Sequence, residues 1–267
     1  MGAYSAKTIV LTGASQGIGR ALALALSEQR PNLVLAARDR GALDEVATQC
    51  RKAGAQTLVV PTDVADEAQC RALVEEAVSR FSGIDVLLNN AGIGMIARFE
   101  EVQDLALFER IMKVNFLGCV YPTFHALPHL KKSRGQIAVM ASLAGLTGVP
   151  TRTGYAASKH AVIGFFDSLR IELRGTGVDV TVVCPYFVRS EIHRRAAGGD
   201  GEALGQTPLK EDQIMTAEEC AARTIRAMQA RRRMLVFTAK GKLGRFLRLV
   251  APSFVDHLAE QAVKRGR

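Results

Sequence analysis

The sequence predicts an α/β chain built on one doubly wound parallel sheet of about seven strands, followed by a C-terminal amphipathic helical extension. Three observations carry that prediction. Short, nearly continuous apolar runs alternate with longer segments of helical period, the pattern of a parallel sheet covered on both faces. A glycine-rich turn, Gly13-Ala-Ser-Gln-Gly17-Ile-Gly19, falls between the first such run and the first helical pattern. Polar residues fit for ligand contact (Arg38, Asp63, Asn89, Ser142) recur where the apolar runs end. Ligands of such sheets bind beyond the carboxyl ends of the strands.

The first strand is the β-branched run Thr8–Thr12, and Ala21, Leu22, Ala25 and Leu26 mark the helix after the glycine turn. Glycines there allow a tight turn and close backbone approach, and a helix N-terminus offers free N–H groups and a favourable dipole to a pyrophosphate. The unit is therefore of Rossmann type. The second strand, Leu33–Ala37, ends in Arg38. An acid at that point would hold a ribose 2′-hydroxyl, whereas an arginine suits a 2′-phosphate. Asp39 follows at once and keeps the ribose contact open, but the balance favours NADP(H) over NAD(H), with Ser15 as a second phosphate ligand.

Alternation continues with a helix over Leu43–Cys50, a strand over Thr57–Pro61 ending in Thr62-Asp63-Val64, and a helix over Ala68–Phe81. Next come a strand over Ile84–Leu88, the run Asn89-Asn90-Ala91-Gly92 and one long helix over about Leu105–Leu130. Gln136–Ala141 is a buried strand running into Ser142, and Asp179–Cys184 is another. A helix over Thr216–Ala230, with Thr216 and Glu219 as a capping box, precedes the closing strand Met234–Phe237. Arg194–Gln206 is rich in Gly and Ala and too polar for a core. Residues 190–215 thus read as a flexible substrate lid or a tolerated surface loop. Residues 1–240 form the dinucleotide-binding and catalytic domain, and residues 241–267 a basic helical extension.

Between Ser142 and Asp179 a helical pattern runs from Tyr155 to Leu173 and opens with Tyr155-Ala-Ala-Ser-Lys159. Positions i and i+4 share a helix face, so phenol and ammonium stand together. A free tyrosine titrates near pH 10 and is a poor acid/base at neutrality. A cation about 4 Å away at an effective dielectric of about 20 favours phenolate by roughly 4 kcal/mol. One fixed lysine is enough to make such a phenol useful.

Composition excludes several classes. No run of 18 apolar residues is present, so no spanning helix is expected. The first strand begins so early that no signal peptide is expected, and five scattered cysteines read as reduced thiols in a cytoplasmic protein. No metal site is expected, because His125 and His129 lack a third ligand. Of the net +9, residues from Arg231 onward carry ten basic side chains against Asp256 and Glu260, so the body is nearly neutral and the tail basic. No basic-aromatic groove accompanies that charge, which argues against nucleic acid. Leu243, Phe246, Leu247 and Val250 form one apolar stripe with Arg245 and Arg248 turned aside; after Pro252, Val255, Leu258, Ala259, Ala262 and Val263 form another. Such helices suit peripheral contact with an anionic membrane, or packing on their own domain or a neighbouring subunit.

These residues together resemble the short-chain dehydrogenase/reductase family over about residues 7–240. The resemblance implies a catalytic set of Asn115, Ser142, Tyr155 and Lys159. It also implies a cofactor set of Gly13, Ser15, Gln16, Gly17, Ile18, Gly19, Arg38, Asp63, Val64, Asn90, Ala91, Gly92, Pro185, Val188 and Ser190, with Tyr155 and Lys159 shared. In that set Asp63-Val64 contacts the adenine, and Val188 and Ser190 the nicotinamide carboxamide. Asn115 anchors a water linking Lys159 to solvent. The activity implied is hydride transfer between a nicotinamide and a carbonyl or secondary alcohol, in a homodimer or homotetramer formed through the two longest helices. The family's Pro-Gly after the last central strand is here Pro185-Tyr186, which implies a narrower or more aromatic pocket wall. The tail resembles the branch containing 11β-hydroxysteroid dehydrogenases, without the N-terminal anchor of some members. Ile93, Met95, Leu143, Val149, Tyr186 and Phe187 are the expected pocket lining, and their apolar character points to a lipid, steroid, terpenoid or aromatic ketone. An acyl-carrier ketoreductase and a non-catalytic NADP(H)-sensing protein are the alternatives.

Overall fold

The computed structural model describes residues 2–206 and 214–264. Seven strands form one parallel sheet: β1 (Thr8–Thr12), β2 (Asn32–Ala37), β3 (Gln56–Pro61), β4 (Val86–Asn89), β5 (Gln136–Met140), β6 (Asp179–Cys184) and β7 (Met234–Val236). Their order is β3-β2-β1-β4-β5-β6-β7, so the chain leaves β3 at one edge and crosses to β4 on the far side of β1. The strand order reverses between β1 and β4, and that switch point is where such sheets bind ligands. Pairing of Leu11 with Leu35 and Leu88 brings the glycine turn, Arg38 and Asn89 to the same end of the sheet.

Both faces are covered. Helices α1 (Gly17–Ser27), α2 (Arg40–Lys52) and α7 (Ala217–Gln229) bury Leu22, Leu26, Leu43 and Met228 against one face. On the other, α3 (Glu67–Phe81), α5 (Gly118–Ser133) and α6 (Thr153–Glu172) bury Leu73, Leu130 and Phe166. Successive residues of a strand point alternately into the two layers (in β1, Ile9 and Leu11 to one and Val10 to the other), which is why the strands read as unbroken apolar runs. Asp66 accepts a hydrogen bond from Gln69 N and Thr216 one from Glu219 N, fixing the starts of α3 and α7.

Four expectations change in detail. The strand expected at Ile84–Leu88 lies at Val86–Asn89, so Asn89 ends a strand instead of following one. The long helix over Leu105–Leu130 divides into α4 (Ala106–Met112) and α5, joined by a π-helical turn at Lys113–Leu117. The wider turn rotates Asn115 inward, where it is fully buried.

The described part of the lid is neither wholly polar nor free. Ala196, Ala197 and His193 are buried, and backbone bonds (Ile96 N to Ala197 O, Ala197 N to Gly94 O, Gln103 N to Gly199 O) tie it to residues 94–103. Residues 207–213 of the expected lid lie outside the described residues. The tail differs most. In α8 (Ala239–Val250) and α9 (Pro252–Lys264), Arg248 turns toward the body and donates to Leu146 O at 2.7 Å, while Leu243, Phe246 and Val250 are exposed. Arg248 thus turns inward where most of the first stripe faces out, while Val255 of the second stripe is buried. Among the described residues no helix is long and apolar enough to cross a membrane.

Candidate active site

At the switch point the chain leaves a cleft of about 1110 Å³. Its floor is the glycine turn. Gly13 and Gly17 have φ of +66° and +52°, and a Cβ on Gly19 would stand 1.9 Å from Gly13 O. Only glycines let the first turn of α1 come that close. Gln16 precedes α1 without a side-chain cap, and the first turn carries no acid. Its N–H groups therefore face the cleft available for an anion, which fits the pyrophosphate of a dinucleotide.

Asn90 fastens this turn to the end of β4. Its amide Nδ2 donates to Thr12 O and Gly13 O at 3.1 Å each, and Thr12 Oγ1 accepts from Asn90 N and Ala91 N. The threonine thus shapes the floor from beneath, a role its sequence position does not reveal. At the rim, Arg38 is exposed and makes no hydrogen bond or ion pair among the described residues. Asp39, in contrast, caps α2 by accepting from Ala42 N at 3.0 Å.

Opposite the floor stand the first turns of α6. Lys159 is 3 % exposed, and its Nζ donates to Met140 O, the last residue of β5, at 2.8 Å. The same Nζ lies 5.7 Å from the centroid of the Tyr155 ring. Ser142, just past β5, accepts from Ala144 N, and Leu143 N donates to Pro185 O, so the ends of β5 and β6 are locked together here. Asn115 binds Ile93 both ways, accepting from its N at 2.8 Å and donating to its O at 3.0 Å, and also donates to Ser158 Oγ. Ser158 in turn donates to Tyr155 O. The π turn therefore clamps the segment after Gly92 to the helix carrying the phenol.

The structure brings the expected cofactor residues, Gly13, Ser15, Gln16, Gly17, Ile18, Gly19, Arg38, Asp63, Val64, Asn90, Ala91, Gly92, Pro185, Val188 and Ser190, into the wall of this one cleft together with Ser142, Tyr155 and Lys159. Asn115 lies behind the wall. Of the expected pocket lining, Ile93 and Tyr186 line the cleft and Leu143, Val149 and Phe187 do not. Met95 is a correction: it is fully buried in a separate small core with Leu107, Ile111 and Ala197, because the lid backbone at Ala197 pairs with it. Glu109, Arg110, Lys113, Glu191, His193 and Arg195 line the cleft as well, so it is more polar than the sequence pattern implied. These residues sit on α4, at the start of the π turn and in the lid, whose approach to one another has no local sequence signal.

Comparison with known proteins identifies the family of this fold. A profile of the family described as short chain dehydrogenase matches residues 7–199, and the chain belongs to that family. An 11-beta-hydroxysteroid dehydrogenase of Pinus massoniana is 39% identical over 226 residues, covering 82% of this chain and 63% of the relative. The chain thus spans less than two thirds of that relative's length. A dehydrogenase/reductase SDR family protein 7-like of Dictyostelium discoideum is 33% identical over 264 residues, covering 97% of this chain and 82% of its own. A short-chain dehydrogenase/reductase from Burkholderia phymatum, solved in complex with NAD, superposes with a TM-score of 0.85 at 29% identity, covering 95% of this chain and 96% of that one. An alcohol dehydrogenase from Thermococcus sibiricus, complexed with 5-hydroxy-NADP, gives 0.75 at 26% identity, covering 86% and 94%.

Proposed function

We propose that this protein is an oxidoreductase interconverting a carbonyl and a secondary alcohol with NADP(H), with Tyr155 as general acid/base. The observation that carries the reading is the opening of Ser142, Tyr155 and Lys159 into the same cleft as the glycine turn. The nicotinamide supplies the hydride in reduction and takes it up in oxidation. In reduction the Ser142 hydroxyl donates a hydrogen bond to the substrate oxygen and holds it beside the phenol, stabilising the charge that develops there. Tyr155 Oη then gives up its proton to that oxygen, leaving a phenolate beside the Lys159 ammonium. Asn115 keeps α6 in register with the residues after β4. The reverse reaction runs through the same groups, with the phenolate as base.

NADP(H) is favoured over NAD(H) by the division of labour at the end of β2. Arg38 keeps its guanidinium uncommitted within the described structure, while Asp39 is spent on capping α2. An apolar carbonyl compound is the favoured substrate. The tail supplies a route to one, because Leu243, Phe246, Leu249, Val250, Phe254 and Leu258 are exposed beside the basic Lys242 and Arg245. An apolar face rimmed by positive charge matches an anionic lipid surface.

Tyr155→Phe, assayed with NADPH and a panel of ketones, should lower kcat by about a thousandfold and leave NADPH binding in place. Equal NADPH oxidation by both forms would defeat the catalytic reading in favour of a cofactor sensor. Arg38→Ala should weaken NADPH by roughly 10- to 100-fold, the worth of charge-assisted hydrogen bonds, and spare NADH. A uniform loss for both nucleotides would refute the NADP(H) preference. Co-sedimentation with phosphatidylserine vesicles should be lost when residues 241–267 are deleted, and membrane contact through the tail is refuted if it persists.

A further inference from the structure

One cation beside the reacting centre has no work in the mechanism above. Arg152 stands at the N-terminus of α6, one helical turn before Tyr155, and is 8 % exposed. Its guanidinium lies 5.5 Å from the centre of the Phe187 ring. Among the described residues its side chain has no hydrogen-bond acceptor and no carboxylate partner. A guanidinium carries five N–H donors in a fixed fork, and a ring face satisfies none of them as an oxygen would. Burying such a charge unpaired is costly, so a chain that keeps it there calls for an anion the fold itself does not supply.

The surroundings say where that anion goes. His193, 9 % exposed, meets the other side of Phe187 with ring centroids 6.0 Å apart. Arg152 and Phe187 stand behind the cleft wall, whereas His193 and Tyr155 line the cleft, and both of these interact electrostatically with Arg152. Burial first, and the Arg152 charge second, push His193 down to about 4. It is neutral at pH 7 and offers hydrogen bonds without adding charge. Glu191, also in the cleft wall, pairs with Arg194 at 3.8 Å and is not the missing partner.

We infer that Arg152 and His193 form an anion subsite next to Tyr155, so that the preferred substrate is an apolar carbonyl compound bearing a carboxylate. Two carboxylate oxygens match the guanidinium fork in a bidentate pair, which a neutral ketone cannot offer. The inference rests on the carbonyl–alcohol reading and narrows its substrate class. It also suits the exposed apolar tail, since an amphiphilic acid partitions at a lipid surface.

The test separates binding from turnover. 3-Benzoylpropionate, 4-benzoylbutyrate and 5-benzoylpentanoate, each beside its methyl ester, are titrated calorimetrically into the enzyme saturated with NADP+, where no reduction occurs. For at least one chain length the acid should bind about tenfold or more tighter than its own ester, the worth of a charge-assisted pair. That ratio should fall to about one in Arg152→Met and stay intermediate in Arg152→Lys. Because the ratio is internal to each protein, a loss of stability in a variant cancels. Should Arg152→Met fail to fold, the wild-type ratio and Arg152→Lys decide. The subsite is refuted if no acid outbinds its ester, or if replacing Arg152 leaves the ratio unchanged. Acids that bind selectively but are never reduced by NADPH would overturn the reductase reading and leave the subsite standing.

Discussion

A buried ammonium has to be neutralised or bound, and the site is built around the way this chain does it. Lys159 is almost wholly removed from water, and one protein oxygen, the carbonyl of Met140, accepts from it. That carbonyl ends β5, at the end of the sheet where strands β1, β2 and β4 also deliver residues to the cleft. Fixing one amine to the sheet therefore fixes the first turns of α6, the phenol one turn away and the distance of both from the glycine floor. A lysine free in solvent would be screened and mobile, with little effect on any neighbour.

The support extends away from the charge through uncharged groups. The π turn swings Asn115 inward, and its amide ties Ile93 on one side to Ser158 on the other. Asn90 and Thr12 do the same for the floor. Asn90 and Thr12 act on backbone, and Asn115 on backbone and on the Ser158 hydroxyl, so the cleft's shape depends on hydrogen bonds at least partly shielded from water and correspondingly expensive to leave unmade. The lid is held in a similar manner, by main-chain bonds to residues 94–103 that bring Glu191, His193 and Arg195 to the cleft.

Most of the sheet could be read from the chain because parallel strands buried on both faces leave unbroken apolar runs, and because short polar or glycine-rich segments follow each one. The glycine turn, Arg38, Asp63, Ser142, Tyr155 and Lys159 were legible for the same reason: each lies at a strand end or in the opening turns of a helix. What escaped depends on contacts between distant segments. Periodicity shows Leu105–Leu130 as one helix, since a single widened turn shifts the pattern too little to notice. Arg152 is three residues from Tyr155 in sequence, yet it is buried with its guanidinium over Phe187, a residue far along the chain. The stripe at Leu243, Phe246 and Val250 has the spacing of a packed face, but Arg248 finds Leu146 O and His160 and turns that face outward.

The central claim is that the Lys159 charge keeps the Tyr155 phenol competent beside the nicotinamide. Lys159→Met tests it most directly, because methionine keeps most of the length and the apolar stem of lysine while removing the charge, along with the bond to Met140 O. With saturating NADPH and any ketone the wild-type protein reduces, kcat should fall by about a hundredfold or more, as expected when a general acid loses its electrostatic support. A variant that binds NADPH and turns over at the wild-type rate would contradict the account.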